Sequence, residues 1–206
     1  MKTPSIRRKR GFTLVELLVV ISIIAVLASA GFAAGNAAIQ KAKKVAATAT
    51  CVAIESAVNN FYVEYGTMPK DGTAQTSPLP TDTGEGLTLI KVLLGDQTDN
   101  DAKLLNPRAV KFLSVKEGKE FPVNSGKGKN GAIFNKTGSA TGLFDPWGGP
   151  YNVILDLAYL EKISLPGTVL NGGKDLNGRR CAAWSAGANT STSAAGQSDD
   201  VITWSK

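Results

Sequence analysis

Histidine is absent from the 206 residues. That gap removes His-based nucleophilic triads, His general bases and His metal ligands together. Cysteine is nearly absent: Cys51 and Cys181 are too few for a four-cysteine zinc site within one chain. The glycine-rich stretches "NGGKD" and "SGKGKNG" lack the Ser or Thr that follows the lysine of a phosphate loop. "DQTDNDAK" lacks the glycine and the distal glutamate of an EF-hand. No nucleophile–base constellation is left, so a non-enzymatic chain is expected. Acid is missing from residues 1–11, which hold Lys2, Arg7, Arg8, Lys9 and Arg10. The formal charge of +6 therefore comes largely from that leader, because the rest holds eighteen basic against seventeen acidic residues. No nucleic-acid partner is expected on that distribution.

What is present is a long apolar run. From Phe12 to Ala34 the only charge is Glu16. About 20 such residues suffice to span a bilayer. The basic flank at residues 7–10 places the N-terminus in the cytoplasm and the globular remainder across the membrane. A carboxylate within such a segment costs roughly 2.5–3.5 kcal/mol on insertion scales, so it needs a reason. A cleaved secretory signal, with Ala28-Ser29-Ala30 as the cleavage site, makes Glu16 unusual. A plain membrane anchor leaves it unexplained. Cleavage between Gly11 and Phe12 gives it a partner. Phe12 and Glu16 are an i,i+4 pair on one helix face, and cleavage creates an α-ammonium on Phe12. A buried carboxylate that is satisfied by a neighbouring subunit sets the register between helices.

The segment Gly11-Phe12-Thr13-Leu14-Val15-Glu16-Leu17-Leu18, after its basic run, resembles the leader and N-methylation segment of type IV pilins and type II secretion pseudopilins. The resemblance implies processing by a prepilin peptidase at Gly11 and Phe12, and an assembly role for Glu16.

Beyond Ala34 the chain is Ala-rich and free of Pro until Pro69. Ala47, Cys51, Ile54, Val58, Phe61 and Tyr65 recur at spacings of three and four, an amphipathic stripe on which a head packs. Gly66 and Pro69 supply the stop. The expected organisation is a leader at 1–11, a transmembrane and assembly helix at 12–34, an amphipathic helix at 35–66 and a head at 67–206. In the head, 71–86 reads as a loop, Leu87–Gly95 as a short helix or buried segment, and 97–113 as containing another short helix. Residues 116–142 read as a solvated loop or irregular hairpin. "PYNVILDL", "LPGTVL" and "RRCAAWSAG" read as strands. The fold class is α+β: a long helix packed on a small antiparallel sheet.

Asp145-Pro146-Trp147-Gly148-Gly149-Pro150-Tyr151 resembles the hairpin of major pseudopilins, and the tail "WSAGANTSTSAAGQSDDVITW" resembles their ending. The latter implies a calcium site. Asn189 falls at the family's first aspartate, and Asp199 and Asp200 match its paired acids. Ser198 and the Ala186 carbonyl are further oxygen donors of the kind Ca²⁺ takes. Here Asn189 is neutral and the loop is longer. Exposed turn acids are the competing reading. For Cys51 and Cys181, a disulfide between helix and sheet and two buried free thiols are both compatible with an exported chain.

The resemblance implies a subunit of a type II secretion pseudopilus, a helical homo-oligomeric fibre driving protein export across the outer membrane. It implies an inner-membrane assembly platform and minor pseudopilins as partners, with the head in the periplasm and the helix in the inner membrane before assembly. A type IV pilin for adhesion, motility or DNA uptake is the nearest alternative. An exported binding domain with an ordinary signal peptide is the third.

Overall fold

The computed structural model describes residues 12–122, 125–165, 173–189 and 200–204, without the side chains of Ala30, Gly31, Ala33 and Ala34. It divides into two compact units, Met1–Ala42 and Lys43–Lys206. Helix α1, Leu14–Tyr65, contributes to both.

In the first unit the apolar side chains from Leu14 to Leu27 are exposed. The hydroxyls of Ser22 and Ser29 donate to the carbonyls of Val19 and Val26, both at 2.8 Å. Polar side chains in an apolar run are thus satisfied by their own helix. Among the described residues no helix is long and apolar enough to cross a membrane.

In the second unit a four-stranded antiparallel sheet runs in the order β1 (Leu79–Pro80), β6 (Tyr151–Leu155), β9 (Cys181–Ser185) and β10 (Val201–Ile202). Alternation along β6 explains why all five of its residues are buried. Tyr151, Val153 and Leu155 join Cys51, Ile54 and Val58 of α1 in one core. Ile154 faces the other way, into a second cluster with Trp184, Trp204 and the ribbon of β7 (Lys162–Leu165) and β8 (Lys174–Asn177). Both faces of the central strands are covered, so they read as continuous apolar runs. The stripe on α1 is the packing face: Ala47, Cys51, Ile54, Val58 and Phe61 are fully buried, and Tyr65 packs at its edge. Gly66, with φ 71°, follows the last helical residue.

Helix α2 (Gly84–Leu94) buries Leu89, Ile90, Val92 and Leu93, and stops at Gly95 in the left-handed region. A Cβ on Gly86 would lie 2.1 Å from the Pro80 carbonyl oxygen, so only glycine allows α2 this close to β1. Helix α3 (Asn100–Leu105) is capped by Asp99, whose side chain accepts from the amides of Asp101 and Ala102.

Two expectations are narrowed or corrected. Residues 116–142 take the irregular-hairpin form of the two that were expected, and not the solvated loop. β2 (Lys119–Glu120) pairs with β3 (Gly128–Lys129), and β4 (Gly131–Phe134) with β5 (Ala140–Phe144). Small residues mask these strands, yet Ala132, Ile133, Ala140 and Leu143 are buried. The 71–86 loop also contributes β1, where Pro80 sits at a sheet edge that tolerates a missing N–H. The α+β class itself is as expected, and "LPGTVL" lies mostly outside the described residues.

Candidate functional site

Three regions carry the residues singled out from sequence. The first is the start of α1. Gly11 is outside the described residues. Phe12 is 75% exposed. The Glu16 carboxylate accepts from the Thr13 amide and from the Thr13 hydroxyl, both at 2.8 Å. In return, the Glu16 amide donates to the Thr13 hydroxyl at 3.2 Å. That reciprocal pair is a capping box: two amides of the first turn, left without helical partners, are satisfied by side chains. The Thr-x-x-Glu spacing carried this signal in the sequence, and the i,i+4 reading of Phe12 and Glu16 overlooked it. The box fixes the position of the carboxylate at the helix start.

The second region is the tail. Asn189 closes a short 3-10 turn, Gly187–Asn189, and Asp200 precedes β10 with only 9% of its surface exposed. Ser198 and Asp199 lie outside the described residues. Among the described residues no group of three or more acidic or cysteine side chains is placed to hold a metal. Asn189, Asp200 and the Ala186 carbonyl are hard oxygen donors, the chemistry a calcium ion requires.

The base of this loop is held by a residue read from sequence only as part of a turn. Asp145 is fully buried. Its Oδ1 accepts from the amides of Trp147, Gly148 and Gly149 at 2.8, 2.7 and 2.9 Å. Its Oδ2 accepts from the Ser185 hydroxyl at 2.5 Å, and the same hydroxyl accepts from the Gly187 amide at 3.0 Å. Asp145 thus joins the β5–β6 turn to the start of the tail loop. Burial pushes its carboxyl above the ordinary 3.8, against the opposing pull of these hydrogen bonds.

At the far end of the loop, Glu55 of α1 anchors the tail. Its carboxylate pairs with Arg179 at 3.3 Å, accepts from the Ala183 amide at 3.2 Å and from the Thr203 hydroxyl. Arg179 in turn donates to the Thr203 carbonyl at 3.2 Å. Sequence gave no sign of this clamp, because its members are far apart along the chain.

The third region is the cysteine pair. Cys51 and Cys181 are both buried in the core shared by α1 and the sheet, and both are free thiols. Desolvation raises the pKa of each, which makes them poor nucleophiles.

Residues 6–32 match the prokaryotic N-terminal methylation motif. The chain is 35% identical over 66 residues to the type IV major pilin protein PilE of Neisseria gonorrhoeae, a match covering 32% of this chain and 40% of that one. It is 39% identical over 77 residues to the prepilin peptidase-dependent protein D of Escherichia coli K12, covering 37% of this chain and 53% of that protein. The chain therefore spans about half the length of the curated relatives it matches. No solved structure matches it. The protein carries a prokaryotic N-terminal methylation motif, and over about a third of its length it is similar to type IV pilin-like proteins.

Proposed function

We propose that the chain is a structural, non-catalytic fibre subunit of a type II secretion pseudopilus. The observation that carries this is the methylation motif at residues 6–32, with Glu16 held at the start of an apolar helix. In this reading residues 1–11 are a leader removed by a prepilin peptidase after Gly11, and methylation follows on Phe12. Residues 12–34 anchor the subunit in the inner membrane and bundle inside the helical fibre. Residues 35–66 carry the head, 67–206, in the periplasm. The Glu16 carboxylate, held by Thr13, then meets the new ammonium of a neighbouring subunit. Two opposite charges in hydrocarbon attract strongly, which offsets part of their desolvation cost and makes either charge alone far less favourable than the pair. Assembly platform and minor pseudopilins are the partners.

The pseudopilus is preferred over a pilus because of Asp145, which ties the pseudopilin-like turn to the pseudopilin-like tail. A type IV pilin is the second reading, supported by the similarity to a gonococcal major pilin. N-terminal sequencing of the mature protein tests the shared part. A methylated Phe12 is expected, and a start after Ala30 would overturn both. Deleting the gene then separates them: loss of secretion marks the pseudopilus, and loss of twitching or adhesion the pilus.

Calcium in the tail belongs to the same proposal. Asn189, Ser198, Asp199 and Asp200 would hold it, and the ion would neutralise acids crowded at the loop's exit. A disulfide between Cys51 and Cys181 in the exported protein is a further proposal, tested by mass spectrometry without reductant; absence of the linked peptide ends it.

A further inference from the structure

Residues 156–161, between β6 and β7, hold a carboxylate that the fibre reading leaves without a task. Asp156 is only 4% exposed, and its Oδ2 is buried with no hydrogen-bond partner. None of the ion pairs of the described residues includes it. An ionised carboxylate only accepts hydrogen bonds, so a buried one without a donor is costly.

Asp156 lines a cleft of about 250 Å³ together with Leu157, Leu160 and Ile163. Three other polar side chains, Gln75, Lys162 and Ser164, share the lining, and each is held elsewhere. The Gln75 amide donates to the carbonyls of Ser77 and Val153, both at 2.9 Å, and accepts from the Leu155 amide at 3.0 Å. The Lys162 ammonium pairs with Asp175 at 2.7 Å. The Ser164 hydroxyl donates to the same Asp175 at 2.7 Å. No side chain of the lining donates to Oδ2 of Asp156.

The walls decide what kind of donor fits. Leu157 and Ile163 are buried, and Leu160, 71% exposed, is the one large apolar side chain of the lining that is open at the rim. A metal cation such as Ca²⁺ requires about six or more oxygen ligands, which apolar walls around one carboxylate do not supply. A protein partner requires roughly 800 Å² on each side, far more than a single exposed leucine offers. A short alkyl chain ending in an ammonium suits both parts of the cleft. The chain lies on the leucines and the isoleucine, and the head donates to the carboxylate. The segment that walls the cleft is held in place: the Tyr159 hydroxyl accepts from the Met68 amide at 3.1 Å, and Glu161 pairs with Arg180. Tyr159 and Glu161 take φ of 58° and 53°, a left-handed conformation that is costly for residues other than glycine.

We infer that this cleft is a binding site for a small primary alkylammonium ion, with Asp156 as its anionic anchor. The site goes beyond the fibre reading and does not depend on it. A ligand that donates to Oδ2 relieves a cost that the fold otherwise carries alone, and by binding only the folded chain it stabilises it. Removing the anchor therefore weakens binding without weakening the fold. A carboxylate kept for structure behaves in the reverse way.

The test uses the full chain in nonionic detergent micelles and an amine-free buffer, titrated with n-butylammonium chloride. Saturation-transfer NMR of the ligand and the Tm of the protein are the readouts. Saturable binding at millimolar concentration and a rising Tm are expected, with n-butanol about tenfold weaker because it lacks the charge. Sodium chloride at the same ionic strength should leave Tm in place; an equal rise would reduce the effect to salt and refute the site. Asp156→Asn should bind n-butylammonium about tenfold more weakly, with a ligand-free Tm no lower than that of the wild type. Undiminished binding by Asp156→Asn, or no binding by the wild type, would overturn the inference. A lower ligand-free Tm for Asp156→Asn would make the carboxylate structural and overturn it as well. Lys162→Met should keep the affinity within about threefold; a gain of about tenfold would make Lys162 the occupant and exclude an external one.

Discussion

At the scale of residues, two aspartates and one glutamate show how hydrogen bonding decides what a carboxylate does. Glu16 caps its own helix through Thr13. Thr13→Val should fray the first turn by about 1 kcal/mol and leave the carboxylate unplaced. Glu16→Ala should still insert and be processed, yet assemble poorly; normal fibres from Glu16→Ala would remove it from any account of assembly. Asp145 and Asp96 should respond to pH in opposite directions. Burial raises Asp145, so its contribution is fully present below its ordinary 3.8 and is lost as pH rises through its higher folded value. For Asp96, desolvation acts upward, but hydrogen bonds from Thr98, Ser139 and Ala140 outweigh it and hold the pKa low. Its contribution is present above 3.8 and is lost as pH falls through the lower folded value. Urea unfolding at several pH values should show the advantage of wild type over Asp145→Asn shrinking with rising pH. The advantage over Asp96→Asn should shrink with falling pH. Asp145→Ala should cost about 3 kcal/mol at low pH, because three amides and a hydroxyl lose their acceptor, and less as pH rises.

At the scale of elements, the legible features were those with strong periodicity. The stripe from Ala47 to Tyr65 announced both α1 and its packing face, and the β-branched "NVIL" announced β6. Strands β4 and β5 were hidden because glycine and alanine make up four of their nine residues and cross-strand partners decide their pairing. The Thr13–Glu16 box was legible by its spacing and was passed over for a longer-range explanation. The Glu55 clamp was not legible at all: Glu55, Arg179 and Thr203 meet only after the sheet forms. Its role is measurable. Glu55→Ala should cost about 1–3 kcal/mol and leave the Arg179 guanidinium without its carboxylate. Hydrogen exchange at Val201 and Ile202 should speed up more than exchange in β6. Equal acceleration across the sheet would show that Glu55 supports the fold generally and not the tail.

At the scale of the whole molecule, net charge was misleading and its placement was informative. Counting the chain beyond the leader as one body averaged a basic stretch, residues 103–136, with an acidic remainder; a count by segment reveals the division in the sequence, and the structure adds that its lysines are exposed. The tail was partly legible. Its acids were recognisable, but the anchoring of the loop by Asp145 at one end and Glu55 at the other required the fold. This predicts how calcium should act. Calorimetry on the full chain in detergent should register Ca²⁺ binding and a higher Tm, and Asp199→Ala should abolish both. No heat and no thermal shift in the wild type would end the calcium proposal. Asp145→Asn should weaken the binding without touching a proposed ligand.

Ser22 and Ser29 spend their hydroxyl protons on their own helix. From Leu14 to Ser29 the flank of α1 is therefore a smooth rod, with Glu16 as its only tooth. Against a like rod, such a flank grips by shape alone and has no specific donor to break when it slides. In the fibre reading, friction along such a shaft would be low and the catch would lie at Glu16. A fibre built on that shaft would be easy to extend and retract by one subunit, since each step releases and re-engages a single charge.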